Sequence, residues 1–203
     1  MEKQKKNGLR AWEVAALLSL SFTLCVGLWA QKKQEEISAQ VVRLHILAAD
    51  DSAEEQALKL RVRDAVLAYL EPELADAGSR AEAESRIAER LEQIALAAES
   101  AAEGRAITVS LGEEEYPARS YPGVRLPAGR YRSLRIMLGE GEGQNWWCVV
   151  FPPLCLSAAA REEARSVMAP EDYALITRDE GYELRFRAVE LWSELVSWVT
   201  ADH

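Results

Sequence analysis

Hydrophobic and polar positions along the chain fall into blocks of distinct period. Val14 to Ala30 (VAALLSLSFTLCVGLWA) runs for 17 residues without a charge. At 1.5 Å rise per residue a helix of that length covers about 26 Å, near the roughly 30 Å hydrocarbon core of a bilayer. Val41 to Leu47 then alternates: Val42, Leu44 and Ile46 share one strand face, and Val41, Arg43, His45 and Leu47 the other. Behind a Ser52-x-x-Glu55 capping box, Ala57, Leu58, Val62, Ala65, Val66 and Tyr69 recur at helical spacing opposite Glu54, Lys59, Arg61 and Arg63. That pattern predicts a core-facing helix ending near Pro72. Ile87, Leu91, Ile94 and Ala98 draw a narrower stripe through the charged residues 73–104, predicting a solvated helix packed against the domain and stopping at Gly104.

The second half reads as strands and loops. Ala106 to Leu111 (AITVSL) is strand-like, and Glu113-Glu114-Glu115 follows as a hydrated acidic loop. Tyr116 to Gly129 is rich in Pro, Gly and Tyr, hence edge strand or ordered loop. Tyr131 to Leu138 and Trp146 to Phe151 predict a β-hairpin around a long turn, Gly139 to Asn145. Ala158 to Met168 predicts a short helix closed by Pro170, Tyr182 to Arg187 a strand, and Leu191, Leu195, Trp198 and Val199 a final amphipathic helix. Helices and strands mix without a regular βαβ repeat. The expected class is α+β: an N-terminal membrane-targeting helix, then one domain with a mainly antiparallel sheet and flanking amphipathic helices.

Charge settles the direction of the apolar run. Lys3, Lys5, Lys6 and Arg10 precede it and Trp12 and Trp29 stand at its ends, so the N-terminus stays cytoplasmic and the remainder is exported. Residues 1–40 are thus expected as signal or anchor segment plus linker, and 41–203 as an extracytoplasmic domain. Removal of the helix is left open, because Leu28-Trp29-Ala30 is a poor small-x-small site and Ile37-Ser38-Ala39 lies far from the apolar run. The chain carries a net charge of −9, and residues 41–203 hold 18 basic and 29 acidic side chains. Phosphate backbones repel such a surface, which argues against nucleic acid as a partner.

The catalytic inventory is thin. No Gly-x-Ser-x-Gly elbow, Ser-x-x-Lys pair or His-Glu-x-x-His helix occurs. His45 and His203 are the two histidines, too few for the usual zinc spacings, and His45 has neither acid nor nucleophile near it in sequence. Gly139-Glu140-Gly141-Glu142-Gly143 imitates a phosphate loop, but a strand rather than a helix follows, and both glutamates repel phosphate. We therefore expect no catalytic, cofactor-binding or metal-ligating residues. Cys148 and Cys155 lie either side of Pro152-Pro153. In an exported chain they are expected to form a disulfide, closing a loop worth roughly 2.5 kcal/mol in the chain-entropy model. The alternative is an exported cell-envelope hydrolase pairing one of these thiols with His45. Trp146 and Trp147 point to opposite strand faces, so one enters the core while the other stands exposed as an anchor for a protein partner, unless both are packed.

Three blocks carry a family resemblance. The first is Arg43-Leu44-His45-Ile46-Leu47-Ala48 with Asp51-Ser52 and Gln56 through Leu67. The second runs through Tyr116-Pro117, Leu126 to Tyr131, Ser133 to Ile136, Gly139, Gly141 and Asn145 to Cys155. The third is Tyr182 to Phe186 with Glu190-Leu191-Trp192. Together they resemble stage II sporulation protein R of endospore-forming bacteria, although Ala49 and Asp50 stand where that family has Asn-Ser. The resemblance implies a signalling protein, not an enzyme, made in the forespore and exported to the space between the forespore and mother-cell membranes. There such proteins trigger a membrane-embedded aspartic protease that processes the sigma-E precursor. Asn145, Trp146, Trp147, Pro152 and Pro153 are the expected partner-binding residues.

Overall fold

The computed structural model describes residues 10–121, 123–153 and 165–177. Four strands organise the domain: β1 (Val42–Leu47), β2 (Ile107–Tyr116), β5 (Gly129–Leu138) and β6 (Asn145–Phe151). They form one sheet in the order β2-β5-β1-β6. The β2–β5 and β1–β6 pairs are antiparallel, while β1 and β5 run parallel. The fold is α+β with a mainly antiparallel, mixed sheet.

The expected hairpin between Tyr131–Leu138 and Trp146–Phe151 does not form. β1 lies between those strands, pairing Leu44 with Leu134 on one side and with Cys148 on the other. Burial explains the arrangement. Leu44 and Ile46 are fully buried on one face, and Val41 and Arg43 on the other, so β1 requires cover on both sides, as a central strand has.

On the first face, Val42, Leu44, Ile46, Leu134, Ile136 and Leu138 pack under helix α2 (Ala53–Leu74). Leu58, Val62, Val66, Leu70 and Leu74 form the buried stripe of α2, at a spacing of four residues. α2 ends at Leu74, two residues past Pro72, close to the expected stop. The Ser52 hydroxyl accepts from Glu55 N at 3.3 Å as predicted, but the Glu55 carboxylate turns to Arg105 instead of completing the capping box. Residues 73–104 give two helices, α3 (Arg80–Glu89) and α4 (Leu91–Ser100), broken at Arg90. Ile94 and Ala98 of α4 reach the same core as Ala83 and Ile87 of α3.

The opposite face is covered by different elements. The end of α1 (Ala11–Ser38), a small hairpin of β3 (Arg119–Tyr121) and β4 (Val124–Leu126), and α5 (Pro170–Thr177) enclose Ile37, Val41, Tyr116, Leu126, Tyr131 and Val149. Residues 165–167, the described end of the expected short helix, are helical and stop before Pro170, and Pro170 then opens α5, since the first helical position needs no N–H. Residues 158–164 of the expected short helix, the Tyr182–Arg187 strand and the last helix lie outside the described residues.

Glu113-Glu114-Glu115 is not a loop. These residues continue β2, opposite Arg132, Tyr131 and Arg130 of β5. The flanking positions escape repulsion because Arg130 reaches both Glu113 and Glu115, at 3.7 and 3.3 Å.

Candidate functional site

The polar face of β1 builds the one concentration of unusual side chains among the described residues. Arg43 is fully buried. Its guanidinium lies 3.8 Å from the Tyr116 ring centroid, 4.9 Å from that of Tyr131 and 5.9 Å from that of Tyr121. Nη2 donates to Tyr121 Oη at 2.5 Å, whereas Nε and Nη1 find no acceptor among the described residues. A weakly hydrated, planar cation surrounded by aromatic faces compensates part of that loss through cation–π attraction. Burial raises the pKa of Tyr116 and of Tyr131, so both remain phenols. Tyr131 Oη donates to Pro127 O at 2.7 Å, and Tyr116 Oη shares a hydrogen with Ser133 Oγ at 2.6 Å.

Two residues along β1, on the same face, His45 gains the acid that its sequence neighbourhood lacks. Nδ1 is 3.2 Å from Glu114 Oε1, and Nε2 is 2.7 Å from Asn145 Oδ1. Strand pairing makes the contact: β2 and β6 flank the β5–β1 pair, bringing residues 114 and 145 to either side of 45. Burial pushes the Glu114 carboxyl up, but hydrogen bonds from His45 and Ser133, with the charges of His45 and Arg135, outweigh it and the net shift is downward. The signal was present in sequence. Reading 107–116 as one uninterrupted strand puts Glu114 and Tyr116 on one face by simple alternation.

Trp147 completes the cluster. Its ring lies 5.6 Å from His45 and 6.1 Å from Tyr116, and the Arg119 guanidinium sits 3.9 Å above it. Trp146 faces the other way, packing against the helix-covered core with Arg63 5.1 Å from its ring. The expected partner residues therefore divide. Asn145 and Trp147 share a face, Trp146 lies opposite, and buried Pro152 and half-buried Pro153 follow the far end of β6, about 20 Å along the strand.

The same geometry tests the chemistry. Cys148 pairs with Leu44 and is buried in the helix-covered core, whereas His45 faces the opposite layer. A Cys148–His45 nucleophile pair is excluded by the sheet between them. Cys155, the other thiol of the expected disulfide and of the alternative pair, lies outside the described residues, among which there is no disulfide. The Ser133 hydroxyl is shared with Tyr116 Oη at 2.6 Å, and Tyr116 Oη in turn lies 3.4 Å from Glu114 Oε2. The cluster is an oriented polar and aromatic face, and among the described residues no nucleophile is aimed at its imidazole.

The glycine run supports this surface from below. Leaving β5, it crosses the end of β1 to reach β6: Glu142 N donates to Ala49 O at 3.3 Å and Gly143 N to Ala48 O at 3.0 Å. Gln144 N donates to Asp51 Oδ1 at 2.7 Å, and Lys59 Nζ, expected on a solvated helix face but 4% exposed, donates to Gln144 O at 2.7 Å. Burial lowers the Lys59 pKa, with the Asp51 charge opposing it. A Cβ on Gly143 would stand 2.3 Å from Asp50 O. The glycines are there for a backbone crossing, not for a phosphate.

The family model for stage II sporulation protein R matches residues 38–161, which include every strand described above. Stage II sporulation protein R of Bacillus subtilis (strain 168) is 37% identical over 142 residues. That match covers 66% of this chain and 63% of the relative, so the chain spans less than two thirds of that protein's length. No solved structure matches the chain. On the family match and this relative together, the chain belongs to the stage II sporulation protein R family.

Proposed function

We propose that this chain is an exported sporulation signal that activates a membrane-embedded aspartic protease, which then processes the sigma-E precursor in the mother cell. The observation that carries the reading is the Asn145–His45–Trp147–Arg119 cluster. It is an aromatic anchor fixed by hydrogen bonds and a stacked cation, inside the family-matched region and without a nucleophile among the described residues. Trp and Arg side chains at the centre of an interface are what dominate protein recognition energetically, and Trp147 here is half-buried and supported by exposed Arg119. The N-terminal apolar helix fits membrane targeting, and the extracytoplasmic part of the protease is the partner proposed for the Trp147 face.

Co-expression of this chain with the protease and the precursor tests the reading. Precursor processing should depend on the chain and fall at least about tenfold for Trp147→Ala, while Trp146→Ala, if folded, should act through stability alone. Processing that proceeds equally well without the chain refutes the proposal. The hydrolase alternative is separated by His45→Gln, which has hydrogen-bonding capacity but no base. Retained processing by that variant removes the enzyme reading, and complete loss with an intact fold would favour it.

A further inference from the structure

The α1 helix is continuous from Ala11 to Ser38, 28 residues, about 42 Å at the helical rise. Its two ends have different surroundings. Toward the N-terminus Trp12, Leu17, Leu18, Phe22, Leu28 and Trp29 are all exposed apolar groups, arranged around the helix rather than along one face. Trp12 and Trp29 are separated by about 26 Å, the two interfacial levels of a bilayer. From Gly27 on, about three turns belong to the domain, with Gly27, Ala30 and Ile37 buried. Ile37 is fully buried in the core beneath the β3–β4 hairpin. Gln34 packs on Gly129, whose φ is +148° and where a Cβ would collide with the Gln34 amide. Lys33 Nζ lies 3.2 Å from Asp172 Oδ1, and Gln40 binds the other carboxylate oxygen at 2.7 Å while accepting from Ala169 N at 2.7 Å. Asp172 is 3% exposed, so Lys33 is the cation beside a buried charge.

These contacts leave no linker between apolar helix and domain. Cutting after Ala39 would remove Ile37 from the core and Lys33 from Asp172, leaving a cavity and a buried carboxylate without its cation. We propose that α1 is retained, spans the bilayer between Trp12 and Trp29, and carries the domain as a rigid stalk directly against the headgroup layer. Trp29 and Gln34 are about 8 Å apart along the helix, whereas ten flexible residues would let the domain wander about 17 Å in any orientation. The lipid occupant follows from the length of the bare segment, its paired tryptophans, and exposed Lys32 just beyond it. This inference builds on the membrane-targeting reading but not on the protease, and its test uses no processing assay.

The full-length chain with a C-terminal tag is expressed in a bacterium, its membranes are washed with alkaline carbonate, and the intact mass is measured. Hydrogen exchange is then followed in detergent micelles. The expected result is an unprocessed chain in the pellet, with amides of residues 31–38 exchanging at least about 1,000-fold slower than unstructured peptide, like those of β1. In Ile37→Asp that protection should collapse while the chain stays in the membrane. A product beginning at Gln31 or Gln40, an intact chain extracted by carbonate as a soluble oligomer, or unprotected amides at 31–38 would each overturn the proposal.

Discussion

Replacing Gly143 by alanine adds one methyl group where the protein has no room for it. The new Cβ would stand 2.3 Å from Asp50 O, 2.6 Å from Asp50 C and 2.9 Å from Asp50 Cα. All three are backbone atoms, so no side chain can rotate away, and the crossing loop must lift by about 0.7 Å to reach even the tightest ordinary contact. Such overpacking costs about 1–3 kcal/mol. Lifting the loop also strains Gly143 N→Ala48 O, Gln144 N→Asp51 Oδ1 and Lys59 Nζ→Gln144 O, at about 1 kcal/mol for each bond lost. Gly112→Ala is the matched comparison: nothing lies within 4 Å of its Cβ and its φ is not positive. There the reduced freedom of the unfolded chain should leave stability unchanged or raised by up to about 1 kcal/mol. Urea unfolding of both full-length variants in detergent should separate them by at least about 2 kcal/mol. A Gly143→Ala midpoint indistinguishable from that of Gly112→Ala would refute the packing argument.

Two further outcomes follow from buried charge. Glu114 titrates below the ordinary glutamate value of 4.5 in the folded protein, so its contribution is complete above that value and is lost as pH falls through the lower, folded value. Glu114→Gln should therefore flatten the acid limb of a melting-temperature profile taken between about pH 6 and about pH 3, and an unchanged slope would contradict the assignment. Glu55 is 3% exposed and Oε2 has no partner, leaving Arg105 as its neutralising contact. Arg105→Met should cost about 1–3 kcal/mol, discounted because Arg105 is half exposed, and adding Glu55→Gln should recover part of that loss in a denaturant titration.

What the sequence made legible was local. The alternation of Val42, Leu44 and Ile46 announced a strand, and Ser52 announced the start of α2, because both signals are decided within a few residues. Three readings failed for one reason: the deciding neighbour is remote. Glu113-Glu114-Glu115 looked like a solvated turn because the arginines of β5 that accommodate it stand some 15–20 residues away. Two strands joined by glycines looked like a hairpin because nothing near them marks β1 as the strand between. His45 looked solitary because Glu114 and Asn145 reach it only through that sheet order. The split at Arg90 was hidden differently, since Ala-, Glu- and Arg-rich sequence favours helix on both sides of the break.

The central position of β1 also governs when this domain can exist. Its neighbours in the sheet, residue 132 beside Val42 on one side and residue 151 on the other, are made long after it. Closing contacts of that sequence separation is slow and must await both partners. In the proposed export, a chain threaded outward from its N-terminus delivers β1 first, brings its parallel neighbour β5 after about two thirds of the polypeptide and its other neighbour β6 only after about three quarters. On the proposal that the domain is exported, this strand order defers completion of the sheet to the far side of the membrane.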